Sequence, residues 1–504
     1  MCSHFLIVIN RRKLSTYRAC AFYMLSCLPF SQFSYAFTMI SITIKERNEI
    51  NRRRDSFTVQ KEGILMKKTV RILCVLLLLT GCSSLQKTAP SKAKKPQEQT
   101  NPKIAAPADI RYPKSPSIED YDAQIAIVDD NPVDGTLLSG YADFSQESFS
   151  AILKTASDNV SYSPLSLYYP LMLTLQASEG QTAKQLQMVL HVARRDSAKN
   201  MGNLYRRLYT DNESGQLKIA NSLWIQKAYP VNKDFIETAN KQFYAAAYDV
   251  DFSQAKTADL MAAWIREHTN GNLSPSIRTN ESMRMAILNA VYYKARFDTE
   301  FDKKDTKKDI FYAQDGKVDA DFMHKEMESH FFIDNKDYAA TSLTLSNSSR
   351  LTLVLPKEGK DIRRLMEQKG FLQELLKDDT EGADFGIVKL SLPKFKVHSK
   401  LQLADTLKAM GVTSLFDTAA ELDGITNEKP FFVSDIQQET SIALNEEGME
   451  ASAYTMIGAK GAANIEHPKV LDLNLNRPFL YVISTRMDGV ELPLFIGVCS
   501  NPAS

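Results

Sequence analysis

The chain has 504 residues, of which 44% are hydrophobic and 24% charged, a composition typical of a globular protein. Its formal net charge is +1 at pH 7 and it carries no basic stripe with interleaved aromatic residues, so a nucleic-acid partner is not expected. A disulfide framework is also excluded, because five of the six cysteines lie within the first 82 residues and only Cys499 lies beyond them. Cys499 occupies an apolar, strand-like stretch, which indicates a buried and inert thiol.

The segment from Met66 to Cys82 has the features of a secretory signal. Two lysines and Arg71 precede a short apolar run that ends at Leu79 and is too short to span a membrane as a helix. Leu79-Thr80-Gly81-Cys82 resembles the lipobox of bacterial lipoproteins, whose cysteine is acylated and becomes the mature N-terminus. An ordinary secretory signal is the alternative. We expect a signal peptide at 66–81 and a lipid on Cys82.

The chain on either side of this signal gives the domain organisation. Residues 1–65 are out of place before a signal, and we interpret them as an upstream extension from a mis-assigned start. Residues 82–117 are rich in Pro, Lys, Gln and Ser, cannot form a core, and are expected to be an extended tether. No second linker follows, so residues 118–504 are predicted to form one domain. This organisation predicts a protein of the bacterial cell envelope, lipid-anchored and facing outside the cytoplasm, with the extracellular surface as one such position.

Periodicity within residues 118–504 predicts a mixture of helices and strands. Apolar residues at helical spacing around Phe144 predict a first helix, and Leu165 to Ala177 predicts a second. Thr182 is expected to cap a third helix that ends near Leu190, and Leu403 to Met410 forms a further helix. The mixture predicts an α+β fold class. Alternating or continuous apolar runs predict strands at 217–225, 287–293, 351–355, 388–392, 441–444, 479–483 and 492–498.

The segment from Glu446 to about Pro468 differs from the short connections elsewhere. It consists largely of small residues without a helical period, and loops above about 20 residues inside a compact domain are usually functional. Every second position from Met449 to Ile457 carries Met, Ala, Ala, Thr or Ile. This alternation is typical of a strand that buries one face, and the small side chains suit a narrow slot.

Several short motifs occur in one fixed order along the chain. The most specific are the run from Asn445 to Ala451, Arg477-Pro478-Phe479, and Phe495-Ile496-Gly497 followed by Asn501-Pro502. Earlier ones are Asn159-Val160 with Ser163-Pro164-Leu165-Ser166, Gly180-Gln181-Thr182, Ala220-Asn221-Ser222-Leu223-Trp224, Leu288-Asn289-Ala290-Val291-Tyr292-Tyr293-Lys294 and Leu392-Pro393-Lys394-Phe395. With all of these in order, the chain from about Phe144 to Pro502 resembles the serpin family.

The resemblance implies a fold of three β-sheets and about nine helices, with an exposed reactive loop near the C-terminal end. It implies a protease inhibitor rather than an enzyme, monomeric and without a cofactor. The partner is a serine or cysteine protease, which attacks the loop and is trapped as an acyl-enzyme when the cleaved loop inserts into the main sheet. The membrane is the second expected partner, through the lipid on Cys82.

The resemblance also assigns roles to individual residues. Ser163, Ser166, Asn289 and Gln438 match a polar cluster where the strands of the main sheet must part, although Gln438 stands where many members have His. The reactive bond falls between Ala462 and Ala463, or between Lys460 and Gly461 because this segment is longer than in many members. Phe297 stands where many members have Trp. The hinge of the loop comprises Glu446, Glu447, Gly448, Met449, Glu450, Ala451, Ser452, Ala453, Tyr454 and Thr455.

Other function classes fit the sequence less well. A hydrolase is disfavoured because no Gly-x-Ser-x-Gly, P-loop or His-Glu-x-x-His motif is present. His324, Glu326, Glu328 and His330 lie close together, but their spacing does not match a zinc helix motif, so no metal site is expected. A non-inhibitory serpin, acting as a carrier, chaperone-like protein or surface adhesin, remains the alternative. The uncharged inward row of the hinge favours the inhibitor.

Overall fold

The computed structural model of the chain describes residues 110–503, with gaps at 157, 228, 378–381, 434–435 and 450–467. All of these residues belong to one compact unit, Thr100–Ser504. No helix in the described part of the chain is long and apolar enough to cross a membrane. The α-helices are α1 (Tyr121–Asp130), α2 (Gly135–Leu153), α3 (Pro164–Gln176), α4 (Gly180–Leu190), α5 (Ser197–Leu208), α6 (Lys233–Phe243), α7 (Ala255–His268), α8 (Ile362–Met366), α9 (Phe371–Leu375) and α10 (Ala404–Ala409).

Helices α2 and α3 confirm the two helices expected from apolar periodicity. Helix α3 is buried on nearly every side because its sequence, PLSLYYPLMLTLQ, is apolar all round. Pro164 begins it, at a position where a missing N–H leaves no hydrogen bond unmade. Helix α2 begins at Gly135, where the carboxylate of Asp134 accepts a hydrogen bond from the Thr136 N–H at 2.8 Å.

Helix α4 begins two residues earlier than expected, at Gly180, so the prediction that Thr182 caps it was wrong. The carboxylate of Glu421 supplies the cap instead. Its Oε2 accepts hydrogen bonds from the N–H groups of Gln181 at 2.5 Å and Thr182 at 3.4 Å. A carboxylate is favoured there by the free N–H groups and by the helix dipole. Because Glu421 is 240 residues from Gln181, local sequence carried no sign of it.

The strands form two sheets. They are β1 (Val160–Tyr162), β2 (Thr210–Asn212), β3 (Gly215–Gln226), β4 (Ala245–Val250), β5 (Met285–Arg296), β6 (Lys307–Ala313), β7 (Gly316–Asp334), β8 (Tyr338–Thr344), β9 (Arg350–Pro356), β10 (Asp384–Pro393), β11 (Phe395–Gln402), β12 (Gln437–Asn445), β13 (Gly448–Met449), β14 (Lys469–Asn474), β15 (Phe479–Met487) and β16 (Val490–Cys499).

The seven-stranded sheet is built around the strand pair that borders the unusual segment. Its order is β11-β12-β13-β5-β3-β2, with β4 parallel to β3. Strand β13, only two residues long, is antiparallel to both β12 and β5. Among the described residues, β12 and β5 hydrogen-bond to β13 and not directly to each other. The sheet is therefore closed at one end of these strands and divided along the rest.

The nine-stranded sheet follows the order β1-β16-β15-β9-β8-β7-β10-β14, with β6 on β7. Strand β7 is 19 residues long and pairs with β6, β10 and β8 along successive parts of its length. It thereby joins groups of strands that would otherwise be separate. The α+β class is confirmed. In the part of the chain that the structure describes, the strands form two hydrogen-bonded sheets rather than three because β7 is continuous. Ten α-helices accompany them there, against about nine expected.

The main core packs helices α2 and α3 against strands of both sheets, α2 on β16 and α3 on β5 and β16. Phe144, Tyr168 and Val482 are fully buried in it, and Cys499 is likewise inaccessible. Burial raises the pKa of the Cys499 thiol far above its usual value, so the expectation of an inert thiol is confirmed. A second, smaller cluster around Trp224 and Trp264 packs helix α7 on the seven-stranded sheet.

Residues 110–117, assigned from sequence to the tether, contact the domain. The ring of Tyr112 stacks on Tyr209 with 5.9 Å between centroids, and burial raises its pKa to about 12. The carbonyl of Pro116 accepts a hydrogen bond from Asn212 at 2.7 Å. The proline-rich composition did not predict this contact, which depends mainly on the ring of Tyr112. Cys82, the signal and residues 1–65 lie outside the described residues.

Candidate functional site

The start of the unusual segment is held between two strands. After β12, the side chain of Asn445 accepts hydrogen bonds from the N–H groups of Glu447 at 2.9 Å and Gly448 at 3.2 Å, which turns the chain back. Gly448 and Met449 then pair with Asn445 and Leu444 of β12 on one side and with Arg296 and Ala295 of β5 on the other. Met449 is only 1% exposed. Met449, which is expected on the inward row of the hinge, is thus already buried.

Gly448 is a glycine because nothing larger fits its place. Its φ of +139° is rare for residues with a side chain. A Cβ built there would lie 2.6 Å from the Ala295 carbonyl oxygen and 2.7 Å from the Arg296 Cα, both backbone atoms of β5. The close approach of the two backbones therefore fixes the point at which the segment enters the sheet.

Two glutamates anchor the turn that precedes this entry. The carboxylate of Glu446, 7% exposed, accepts a hydrogen bond from Thr306 Oγ1 at 2.9 Å and lies 3.3 Å from Lys394 Nζ. Burial opposes the ionisation of Glu446, but the hydrogen bonds to its carboxylate outweigh it and hold its pKa below the usual value. Glu447 pairs with Lys303 at 2.7 Å. These hydrogen bonds and ion pairs hold the first two residues of the hinge in place.

The backbone of the same turn is fixed by two aromatic residues. The N–H of Phe297 donates to the Glu447 carbonyl and the N–H of Phe301 to the Glu446 carbonyl, both at 3.0 Å. The two rings contact each other with centroids 5.2 Å apart, and Phe297 is 4% exposed. Phenylalanine at position 297 therefore keeps the apolar packing that a larger ring would give.

A cavity continues from β13 along the gap between β5 and β12. Its volume is about 1340 Å³ and its lining includes residues 285–293 of β5, residues 437–442 of β12, and Ser166, Pro170 and Thr174 of helix α3. Residues 285–289 are half-buried, although β5 lies inside the sheet. Strand edges that face a gap carry backbone groups able to pair with another strand. The arrangement can accept one further strand between β5 and β12.

The predicted polar cluster lies at this gap but is divided into two parts. Gln438 of β12 accepts a hydrogen bond from the Ser163 N–H and donates one to the Ser163 carbonyl, each at 2.9 Å. Asn289 of β5 instead donates to Asn221 Oδ1 at 2.7 Å. Ser166, Asn289 and Gln438 line the cavity, whereas Ser163 lies behind it. Gln438 and Asn289 therefore form their hydrogen bonds on opposite sides of the gap.

Among the residues that the structure describes, two buried polar atoms of this cluster have no hydrogen-bond partner: Ser163 Oγ and Asn289 Oδ1. Unsatisfied buried acceptors cost roughly 1–3 kcal/mol each, so their presence beside a gap indicates a region that gains by rearranging. Around them, Thr440 Oγ1 donates to the Ser161 carbonyl at 2.8 Å, and Ser399 Oγ accepts from the Ser161 N–H at 2.7 Å.

Sequence reasoning missed several residues of this site. Lys394 and Asn221 belong to motifs of the sequence that gave them no role, and Thr306 and Thr440 were not singled out. No local pattern pointed to Thr440, because residues 437–441 are all polar; the structure puts it on the same buried face of β12 as Gln438. The hinge residues Glu450 to Thr455 and the candidate bonds Ala462–Ala463 and Lys460–Gly461 lie outside the described residues.

The described residues contain no group of three or more His, Cys, Asp or Glu side chains placed to hold a metal ion. His324 and His330 are engaged separately on β7. His324 Nδ1 lies 3.0 Å from Ser391 Oγ, and His330 Nε2 lies 2.8 Å from the Ser342 carbonyl oxygen.

Comparison with known proteins identifies the family. The sequence model described as "Serpin (serine protease inhibitor)" matches residues 139–502. The chain belongs to the serpin family. A serpin-like protein of Thermococcus kodakarensis is 28% identical over 446 residues, covering 87% of this chain and 99% of the relative. A serine protease inhibitor of Cyanea capillata is 26% identical, covering 70% and 95%.

Solved serpin structures share the fold. The thermophilic serpin tengpin in its native state matches with a TM-score of 0.65 and 24% identity, covering 73% of this chain and 95% of that one. The matching sequence model describes the family as serine protease inhibitors, and the Cyanea capillata relative carries that name. The chain is accordingly an inhibitor-type protein and not an enzyme.

Proposed function

We propose that this serpin inhibits serine endopeptidases, and cysteine endopeptidases of similar mechanism, as a suicide substrate. The nucleophile of the protease attacks the carbonyl carbon of the reactive bond, forms an ester or thioester with the new C-terminus, and releases the amine of the next residue. The freed end of the loop then enters the gap between β5 and β12. Distortion of the bound protease stops hydrolysis of the acyl-enzyme.

The observation that carries this proposal is the position of β13. Its two residues already lie between β5 and β12, and the cavity extends from it along both strands. Extending the same register puts Ala451 between Tyr293 and Ile442, and Ala453 between Val291 and Thr440. Small, uncharged residues therefore meet the buried side of the sheet, as rapid insertion requires.

The next residue of the inward row meets the polar cluster. In the extended register, Thr455 falls between Asn289 and Gln438, where Asn289 Oδ1 is buried without a partner. A threonine hydroxyl can donate to that oxygen, so insertion would satisfy an acceptor that the uncleaved protein leaves unsatisfied. This gain adds to the backbone hydrogen bonds that a new strand makes on both sides. The uncleaved state is then held by a kinetic barrier rather than by equilibrium.

The test is to incubate the purified protein with elastase-like, subtilisin-like, trypsin-like and papain-like proteases. We expect a covalent complex that survives boiling in detergent with at least one of them, and a large rise in Tm after cleavage of the loop. Cleavage without a complex by every protease would contradict inhibition and favour the non-inhibitory carrier or adhesin. The lipid anchor on Cys82 belongs to the same proposal and places the inhibitor at the cell envelope.

The released peptide identifies the reactive bond. We propose Ala462–Ala463, which suits a protease with a small apolar pocket. Cleavage after Lys460 would suit a trypsin-like pocket and would shorten the inserted segment by two residues, about 7 Å. Mass spectrometry of the complex decides between them, since a fragment that begins at Gly461 would replace our choice.

A further inference from the structure

An apolar patch lies on the nine-stranded sheet beside the end of the reactive loop. Strand β14 begins at Lys469, directly after the loop, and runs parallel to β10 with Val470 opposite Ile387. Phe385, two residues earlier on β10, lies opposite Phe331 of β7, and their rings are 4.8 Å apart. Because side chains alternate along a strand, Val470, Ile387, Phe385 and Phe331 share one face.

That face is the solvent side of the sheet. Leu471 and Val388, which alternate with Val470 and Ile387, are 4% and 0% exposed and face the core. Val470 is 57% exposed and Phe385 is 37% exposed. We call Phe331, Phe385, Ile387 and Val470 the β14 patch. A cluster of exposed apolar side chains on adjacent strands is typical of a contact surface.

Charged side chains border the β14 patch. Lys469 contacts the carboxylate of Asp384, and Lys389 Nζ lies 3.9 Å from Glu326 Oε2. Asp472, two residues after Val470 on the same face of β14, is exposed. A partner there would meet an apolar surface with charged groups at its rim.

The patch is also within reach of a protease bound to the loop. Val470 lies seven residues after Ala463, so at most about 25 Å of extended chain joins them. A protease–inhibitor interface covers about 800 Å² on each partner, a disc of roughly 16 Å radius. A protease centred on the bond meets the patch when the connecting chain spans less than about two-thirds of its full length.

We infer that the β14 patch is a docking surface for the body of the target protease, on the side of the loop that follows the reactive bond. It would select among proteases with similar specificity pockets by the apolar surface beside their active-site cleft. This inference rests on the proposed function, because it takes the target protease as the occupant. Binding to the patch adds affinity before any bond is cleaved.

The test uses the panel protease that cleaves the loop fastest, with its nucleophilic residue replaced by alanine so that no acyl-enzyme forms. The Kd of this inactive protease is measured with the wild-type protein and with Val470→Asp and Phe385→Ser. We expect each substitution to weaken binding at least tenfold. Met188→Asp on α4, where Met188 is 69% exposed, is the matched control and should leave Kd unchanged.

The outcomes separate the two proposals. Equal Kd values for the wild type and both patch variants, or no binding of the inactive protease to any of them, would overturn the docking surface. Absence of covalent complexes with active proteases would overturn inhibition, while patch-dependent binding of the inactive protease would still support docking. Both substituted residues face solvent, and unchanged Tm values would show that the variants fold.

Discussion

Replacing Ala453 with arginine tests the central step, insertion of the loop between β5 and β12. The register of β13 puts this residue between Val291, which is half-buried, and Thr440, which is 5% exposed. Neither neighbour can neutralise a guanidinium. Glu439, the nearest acid on β12, points to the other face because side chains alternate along a strand. The inserted arginine would therefore be buried and unpaired.

The expected size of the effect follows from the cost of burying that charge. An unpaired buried charge costs several kcal/mol, here taken as about 4. If half of this cost applies in the transition state of insertion, the activation free energy rises by about 2 kcal/mol and insertion slows roughly 30-fold. Insertion competes with hydrolysis of the acyl-enzyme. Ala453→Arg should therefore be cleaved mainly as a substrate, with the ratio of cleaved to trapping molecules raised roughly 30-fold over the wild type.

The assay is titration of a fixed amount of protease with inhibitor, combined with detergent gels that distinguish complex from cleaved protein. Tyr454→Arg is the matched control, because it introduces the same charge one residue later, beside Glu439 in the extended register. It should keep inhibition near the wild-type value. Unchanged inhibition by Ala453→Arg, or equal loss in both variants, would refute insertion in this register. Both variants should melt like the wild type before cleavage.

Three further substitutions test other parts of the molecule. Glu446→Lys should lower Tm because it places a second cation beside Lys394. In the wild type, the contribution of Glu446 to the free energy of unfolding is present at neutral pH. It is lost as pH falls below about 4.3, since the pKa of Glu446 is lower in the folded than in the unfolded state. An unchanged urea midpoint at pH 7 would contradict this. Gln438→Ala should cost about 2–4 kcal/mol in the free energy of unfolding, because the N–H and carbonyl of Ser163 lose their partners; a loss under 1 kcal/mol would count against it. Cys82→Ala should release the protein from the membrane fraction, and a wild-type protein without an acyl group would refute the anchor.

The sequence predicted those helices and strands whose own residues form a clear apolar pattern. Helix α3 could be predicted because it is apolar nearly all round, and β9 because Leu351 to Leu355 is apolar except at Thr352. Strands β6 and β7 were not predicted, since most of their residues are exposed and their pairing with each other and with β10 holds them in place. Local periodicity carries no signal for such strands.

Residues of the candidate site could be predicted from the sequence, but their hydrogen-bond partners could not. Gln438 and Asn289 were placed in one cluster, yet each bonds to its own side of the gap, to Ser163 and to Asn221. Such partners are chosen by how distant strands are arranged in space. The same limit explains why Thr182 was given a capping role that Glu421 fulfils, since no local pattern reports a carboxylate 240 residues away.

The two ends of the reactive loop are fastened to different sheets. Its beginning is clamped in the seven-stranded sheet at β13, and its end continues into β14 of the nine-stranded sheet. From Met449 to Lys469 the contour length is at most about 72 Å, so every residue that enters the gap shortens the span left to reach β14. While both ends are attached, the fixed contour length limits how many residues can enter the gap. Hydrolysis of one peptide bond in the segment removes this limit, so in the proposed mechanism the target protease itself releases the strand that inserts.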